Sequence, residues 1–464
     1  MEAMNRHGSQ ELLLVILAIA IEMEPDALPP ALDSERDKLV DVLRLESLKL
    51  MPPLALNSAD LRLSQCTALI LASYTWCMKE DLVQIARRWN DLAKLIWNDM
   101  RSNDMNNVYS ESTARIGRAI QLQATVLDLL HHSRVSWPVD AETHTNPTLS
   151  PLCYASPTTE FGSCTNASSR VNDYFSLFFP LLGLLQNVLS SARDLESMKR
   201  IRDSLELFYL DFPPELLEFS SAKSPYQIEA MIWFHGIFIL TFVRQDLLDI
   251  LIDETLPMRD DFYSVLEHAI LLGEAFPTLL RLDPGLRQIS PATVFLINLS
   301  STIIASAMWQ FHCCIDLDTS STLLVDAPES LVVIMSHHQE ALKALTGPKS
   351  RYDLKFIGAI SDILSSLCTG LTSETYQTLQ KSLYVIAHYC WHDDGNGISR
   401  LATGATDGIV QTRAMSANIT MLCRVQLPPV AEPEDAIMRR ATIQALCSPE
   451  ARICKGCFDL SIQF

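Results

Sequence analysis

Residues Cys66–Met100 read CTALILASYTWCMKEDLVQIARRWNDLAKLIWNDM, and this stretch decides the fold class. In its second half Leu82, Ile85, Trp89, Leu92 and Ile96 recur at spacings of three and four, which predicts one apolar helical face. Lys79, Glu80, Arg87, Arg88 and Lys94 fall mostly elsewhere. Leu69, Ala72 and Trp76 form a similar stripe in the first half, with Tyr74 beside it. Asp81 is suited to cap the second helix, because its carboxylate can accept from free first-turn amides. These residues predict a packed helical hairpin anchored by bulky aromatics and carry no sign of an activity.

Working outward, the same period predicts an array of helices. It runs from about Glu11 to His132, resumes at Val171, and continues through Asp260–Leu282, Pro291–Ile315, Glu329–Leu345, Asp353–Cys368 and Glu374–Trp391. Residues 136–170 are rich in Pro, Thr, Ser and Asn and read as a linker. The predicted organisation is therefore a helical part over 1–135, a linker over 136–170, a second helical part over 171–426 and a Pro-interrupted tail over 427–464. The fold class is all-α, a large array of stacked helical hairpins, as one body or two helical subdomains. Only 15 glycines stand among 464 residues, which argues against a sheet-rich enzyme with many tight turns.

The order of features resembles the middle homology region of fungal zinc-cluster and zinc-finger transcription factors. The matching segments are a leucine-rich helix, then Ser73-Tyr74-Thr75-Trp76, a short break and a tryptophan-anchored helix. ELLLVILAIAIEM (11–23), YQIEAMIWFHGIFILTFVRQDLLDIL (226–251) and SPATVFLINLSSTIIASAM (290–308) are similar to further helices of that region, and LELFYLDFPPELL (205–217) resembles its aromatic-x-x-x-hydrophobic-Pro turn before a long helix. Where the family carries a basic triplet, paired aromatics and an Asp, only Arg118 and Asp128 stand in register, with Ile120 and Leu122 in place of the aromatics. Ser136-Trp137-Pro138-Val139 replaces the family's Gly-Arg-Pro segment. The six-cysteine pattern of a zinc cluster does not occur in this sequence. The resemblance implies a nuclear regulator of a metabolic pathway, of the specialised-metabolite kind, whose DNA contact comes from a protein partner. That partner would be a DNA-binding regulator or co-regulator, with a small-molecule effector as a second ligand. A helical scaffold or corepressor without transcriptional activity is the alternative.

Composition agrees with a non-enzymatic body. Hydrophobic residues make up 48% and charged ones 20%, enough apolar surface for a large core. The formal net charge of −19 disfavours direct attraction to phosphate backbones. Lys199-Arg200-Ile201-Arg202 is the densest basic cluster and reads as a solvated helix face. Leu12–Ile21 has the length of a signal-peptide core, but Glu2 and Glu11 flank it where positive charge is expected. The uncharged stretch Ile289–Ile315 is interrupted by Asn298, Ser300, Ser301, Thr302, Gln310 and His312, which favours a buried core helix over a membrane span. Asn166, Asn298 and Asn418 sit in glycosylation triplets.

Individual chemical signals are weak. Cys66, Cys77, Cys313, Cys314, Cys368 and Cys390 read as reduced buried thiols. Cys454-Lys-Gly-Cys457, with Cys447 or Cys423 nearby, has metal-ligand spacing but no second close pair. No metal ligand, cofactor or catalytic residue is assigned. An Mg-dependent terpene cyclase would use Asp260-Asp261 or Asp393-Asp394 with Asn172-Asp173 and Ser176. That motif order is reversed, and Pro180 stands where the last carboxylate belongs. Asp260 and Asp261 are explained by a helix N-terminus. Gly395-x-Gly397 lacks a third glycine. His131-His132 and His337-His338 are neighbours that diverge on a helix, and His235 reads as a hydrogen-bonded core histidine. Trp76, Trp89, Phe208 and Trp233 mark where a pocket would form, and core packing explains them equally.

Overall fold

The computed structural model describes residues 10–24, 32, 35–50, 59–77, 79, 82–103, 110–131, 174–190, 195–210, 219–243, 246–253, 256, 260–313, 329–347, 350, 352, 354–369, 373–391, 398–400, 411, 413–415 and 417. The expected linker, the tail, Asp81, Asp393-Asp394, Asn166, Asn172-Asp173, Asn418, Cys314 and the Cys447/Cys454/Cys457 group lie outside them. The protein is all-α. Two compact units divide it, one spanning 1–145 with the short segment 347–354, the other 146–346 and 355–464.

The first unit contains α1 (Gln10–Met23), α2 (Arg36–Leu50), α3 (Ala59–Trp76), α4 (Val83–Asn103) and α5 (Ser110–His131). Its centre is the α3/α4 hairpin, closed by α5. Cys66, Leu69, Ile70, Ala93, Ile96, Met100, Ile116 and Ile120 form its core, with Trp89, Leu92 and Trp97 packed against it. The face that α4 buries overlaps the expected one at Ile96, with Trp89 and Leu92 packed against the core, but is rotated from it. Val83, Ala86, Asn90, Ala93, Ile96 and Met100 point inward, whereas Ile85 is exposed and Trp89 and Leu92 sit on the flank. Small side chains occupy the contact because they let two helix backbones approach. Bulk alone misplaces the stripe by about one residue. Leu69, Ala72 and Trp76 of α3 are buried as their spacing predicts.

The second unit contains α6 (Tyr174–Ser190), α7 (Leu195–Leu210), α8 (Pro225–Phe242), α9 (Leu247–Ile252), α10 (Asp260–Leu282), α11 (Pro291–Cys313), α12 (Glu329–Thr346), α13 (Lys355–Thr369) and α14 (Ser373–Ile386). α8 and α11 are buried on every side, as helices apolar all round must be. α11 is long and apolar enough to cross a membrane, yet the whole of 291–309 is buried inside this unit. The resemblance predicts one long helix over 226–251. Instead α8 ends at Phe242, Val243 turns extended, and α9 starts after Asp246. Asp246 is ion-paired with Arg413, which also donates to the carbonyl of Ala387 at 3.1 Å, so the break is anchored from outside the helix. The helix expected to reach Trp391 stops at Ile386. Tyr389–Trp391 (β1) pairs antiparallel with Ile398–Arg400 (β2), Cys390 opposite Ser399. Tyr-Cys-Trp suits a pleated strand better than a helix end.

Candidate functional site

The strongest concentration of buried polar chemistry lies where α8 meets the start of α11. Ser290 caps α11, with Pro291 in the first turn where a missing N–H costs nothing. The Ser290 hydroxyl oxygen accepts from the Thr293 amide at 3.3 Å. Glu229, the single carboxylate of α8, reaches this cap. One of its oxygens accepts from the Ser290 amide at 2.6 Å and from the Thr293 hydroxyl at 2.6 Å. Thr293 Oγ1 in turn accepts from Trp233 Nε1 at 2.8 Å and lies 3.0 Å from Ser290 Oγ. Every proton has a place if Ser290 donates to Thr293 and Thr293 to Glu229. The negative charge stands at the positive end of a helix, which favours it. Trp233 is also packed edge-on against Phe178, at 5.4 Å.

Two turns along α8, His235 faces His268 of α10 with their Nδ1 atoms 2.7 Å apart. One ring carries its proton on Nδ1 and the other presents a lone pair there, because two N–H groups or two lone pairs would repel at this distance. Phe238 stacks on His268 at 3.8 Å, and Phe234 meets His235 edge-on. Burial pushes the His235 pKa down to about 3, so this ring is neutral at pH 7.

α12 supplies two more imidazoles. His338 is completely buried, with Nε2 3.2 Å from the Ala269 carbonyl and Nδ1 2.9 Å from the Ser301 hydroxyl. A neutral ring that donates from Nε2 to Ala269 has Nδ1 free to accept from Ser301, whose single hydroxyl proton is shared with the Ile297 carbonyl at 2.7 Å. Burial pushes its pKa to about 3, with His337 lowering it further against the opposing bond to Ala269. His337 Nδ1 lies 3.1 Å from the carbonyl of Gly273. The adjacent histidines reach α10 at separate carbonyls, one turn apart. At Gly273 an added Cβ would come within 2.7 Å of Ile334 and 2.9 Å of His338, so glycine is what admits α12 this closely.

In the first unit Ser73 donates to the Ala86 carbonyl at 2.7 Å, and Gln123 donates to Ser73 at 3.2 Å. One buried chain thereby joins α5, α3 and α4. The Cys66 thiol donates to the Ala93 carbonyl at 3.2 Å, and burial pushes its pKa up to about 12, which makes it inert. Of the family positions, Asp128 is buried 4.0 Å from Arg87, while Arg118 is partly exposed.

The expected site residues separate. Trp76 packs on Trp89 at 6.0 Å in the first unit; Phe208 packs on Phe234 at 6.5 Å in the second, where Trp233 belongs to the Glu229 cluster. Asp260 and Asp261 begin α10, as a helix start requires. Arg202 of the basic cluster lies over the Phe242 ring at 4.3 Å, and Lys199 and Arg200 are exposed. Asn298 is fully buried. Among the described residues, no three His, Cys, Asp or Glu side chains stand close enough to hold a metal. The Glu229 and His268 partnerships were not foreseen, although one carboxylate in an otherwise apolar helix was the available signal. Comparison of the chain with protein-family models, curated proteins and solved structures found no match in any of the three.

Proposed function

We propose that this chain is a non-catalytic regulator of transcription, serving a fungal metabolic pathway of the specialised-metabolite kind and acting in the nucleus. The observation that carries the reading is the fate of the buried reactive groups. Glu229, His235, His268, His338, Ser301 and Cys66 each close a hydrogen bond between two helices or onto a buried backbone. A fold that spends its carboxylate, imidazoles and thiol this way offers shape and docking rather than turnover. The tryptophan-anchored hairpin over 59–103 adds the order of features that the fungal regulators share.

In this reading the helical body binds a protein partner that contacts DNA, or a small-molecule effector, and biases an active state through its different affinity for two conformations. The net charge of −19 fits recruitment through a partner rather than through phosphates. Tethering the full chain to a foreign DNA-binding domain tests it. A change in reporter output in either direction supports regulation, whereas an unchanged reporter with a cytosolic tagged chain replaces it with the scaffold reading.

A further inference from the structure

Helix α1 is apolar on two sides: Val15, Ala18 and Ile21 are buried on its inner side, the last two in one cluster with Val40 of α2. Its two carboxylates, Glu11 and Glu22, are on the inward side: Glu11 is 5% exposed, and Glu22 lies 2.5 Å from Arg44 of α2, whose side chain is fully buried. Ser47 of α2 fixes the same side by donating to the Glu11 carbonyl at 2.7 Å. The opposite side of α1 carries Leu13, Ile16, Leu17 and Ala20, at i, i+3, i+4 and i+7, all exposed; Leu13 is 58% open and Leu17 45%. A surface helix normally turns its charge to water and its apolar stripe to the core. α1 buries one apolar stripe and leaves another in water, so it has a second apolar environment to meet.

We propose that the outward face of the α1/α2 hairpin is the contact by which two copies of this chain pair about a two-fold axis. Three features select a second copy. The exposed α1 stripe holds no charge, so it repels no like surface and fits its own image. α2 carries Val42 and Leu45, 52% and 51% exposed, between the surface pairs Lys38–Glu35 and Lys49–Glu46. Rim charges of both signs are what an isologous contact can match with itself. The hairpin is also nearly neutral: α1 and α2 together hold four Lys or Arg against five Asp or Glu, in a chain of net charge −19. It is therefore where two acidic molecules can approach. An anionic lipid surface would want basic residues on α1, and α1 has none. The face is about 20 Å long and two helices wide, smaller than the roughly 800 Å² each partner gives to a standard interface, so pairing is reversible.

Sedimentation of the full chain over about 1 to 100 μM tests the proposal. The expected result is a monomer–dimer equilibrium, with the dissociation constant raised on the order of a hundredfold in Leu13→Glu with Leu17→Glu, at unchanged helix content. A monomer throughout, or a dimer that the double variant leaves intact, overturns it. So does a monomeric chain that floats with zwitterionic phosphatidylcholine vesicles, which would assign the face to lipid. If the double variant misfolds, amide exchange of the unaltered chain decides: residues 10–23 slow on concentration if the face pairs, and exchange equally at both concentrations if it does not.

Discussion

Glu229 shows what a single residue can fix. Its carboxylate holds the cap of a helix 61 positions away in sequence, and without it the Ser290 amide and the Thr293 hydroxyl lose their buried acceptor. Glu229→Ala is expected to lower unfolding free energy by about 3 kcal/mol, and Glu229→Gln, which keeps an acceptor, by about half of that. Urea denaturation of each variant measures the difference. The buried histidines act through pH. His235 and His338 have folded pKa values near 3, below the value near 6.5 of an unfolded histidine. As pH falls through that window the unfolded chain binds protons that the folded one refuses. Stability is full above pH 6.5 and declines by about 1.4 kcal/mol per pH unit for each such histidine. Asp249 and Asp362, raised chiefly by burial, pull the opposite way, so the informative quantity is a slope difference. His338→Gln should flatten the stability–pH slope between pH 4 and 6 by about 1.4 kcal/mol per unit. An unchanged slope in urea titrations would mean that His338 charges within the fold.

At the scale of elements, close approach decides which face a helix buries. The α3 stripe was legible because Leu69, Ala72 and Trp76 are both bulky and inward. The α4 stripe was legible only in part: Ile96 is core and Trp89 and Leu92 pack against it, but Ala86, Asn90 and Ala93 are more deeply buried. A pattern of hydrophobicity weighs size and cannot see distance between backbones. The same distance makes two glycines behave oppositely. At Gly236 of α8 an added Cβ would meet the Leu296 side chain at 2.7 Å, while at Gly183 of α6 it would meet nothing within 4 Å. Gly236→Ala is expected to destabilise by about 1–2 kcal/mol, overpacking outweighing helix propensity. Gly183→Ala, exposed and helical, is expected to stabilise by about 0.5–1 kcal/mol. Thermal melts of the two variants should move in opposite directions. The break after Phe242 and the strand at Tyr389–Trp391 escaped the sequence for a related reason: Asp246 is held by Arg413, 167 residues away, a partner no local pattern carries.

For the whole molecule, apolar periodicity was enough to read the all-α class. Low glycine content and helical spacing agree over the whole chain, and neither depends on long-range contacts. The assignment of 347–354 to the first unit was not legible, since those residues sit in sequence between two helices of the second. Nor were the helix-to-helix bonds of Glu229 and of the four histidines, which need partners 33 to 69 positions distant. Those bonds turn the buried carboxylate and imidazoles of the second unit to structure. The proposed regulator would work by docking, through a partner that reaches DNA. Crosslinking the full-length tagged chain to chromatin and mapping the recovered DNA is the direct measurement. Discrete promoter enrichment that disappears when the DNA-binding partner is deleted is the predicted result. A chain excluded from the nucleus, with recovered DNA at background everywhere, would contradict it.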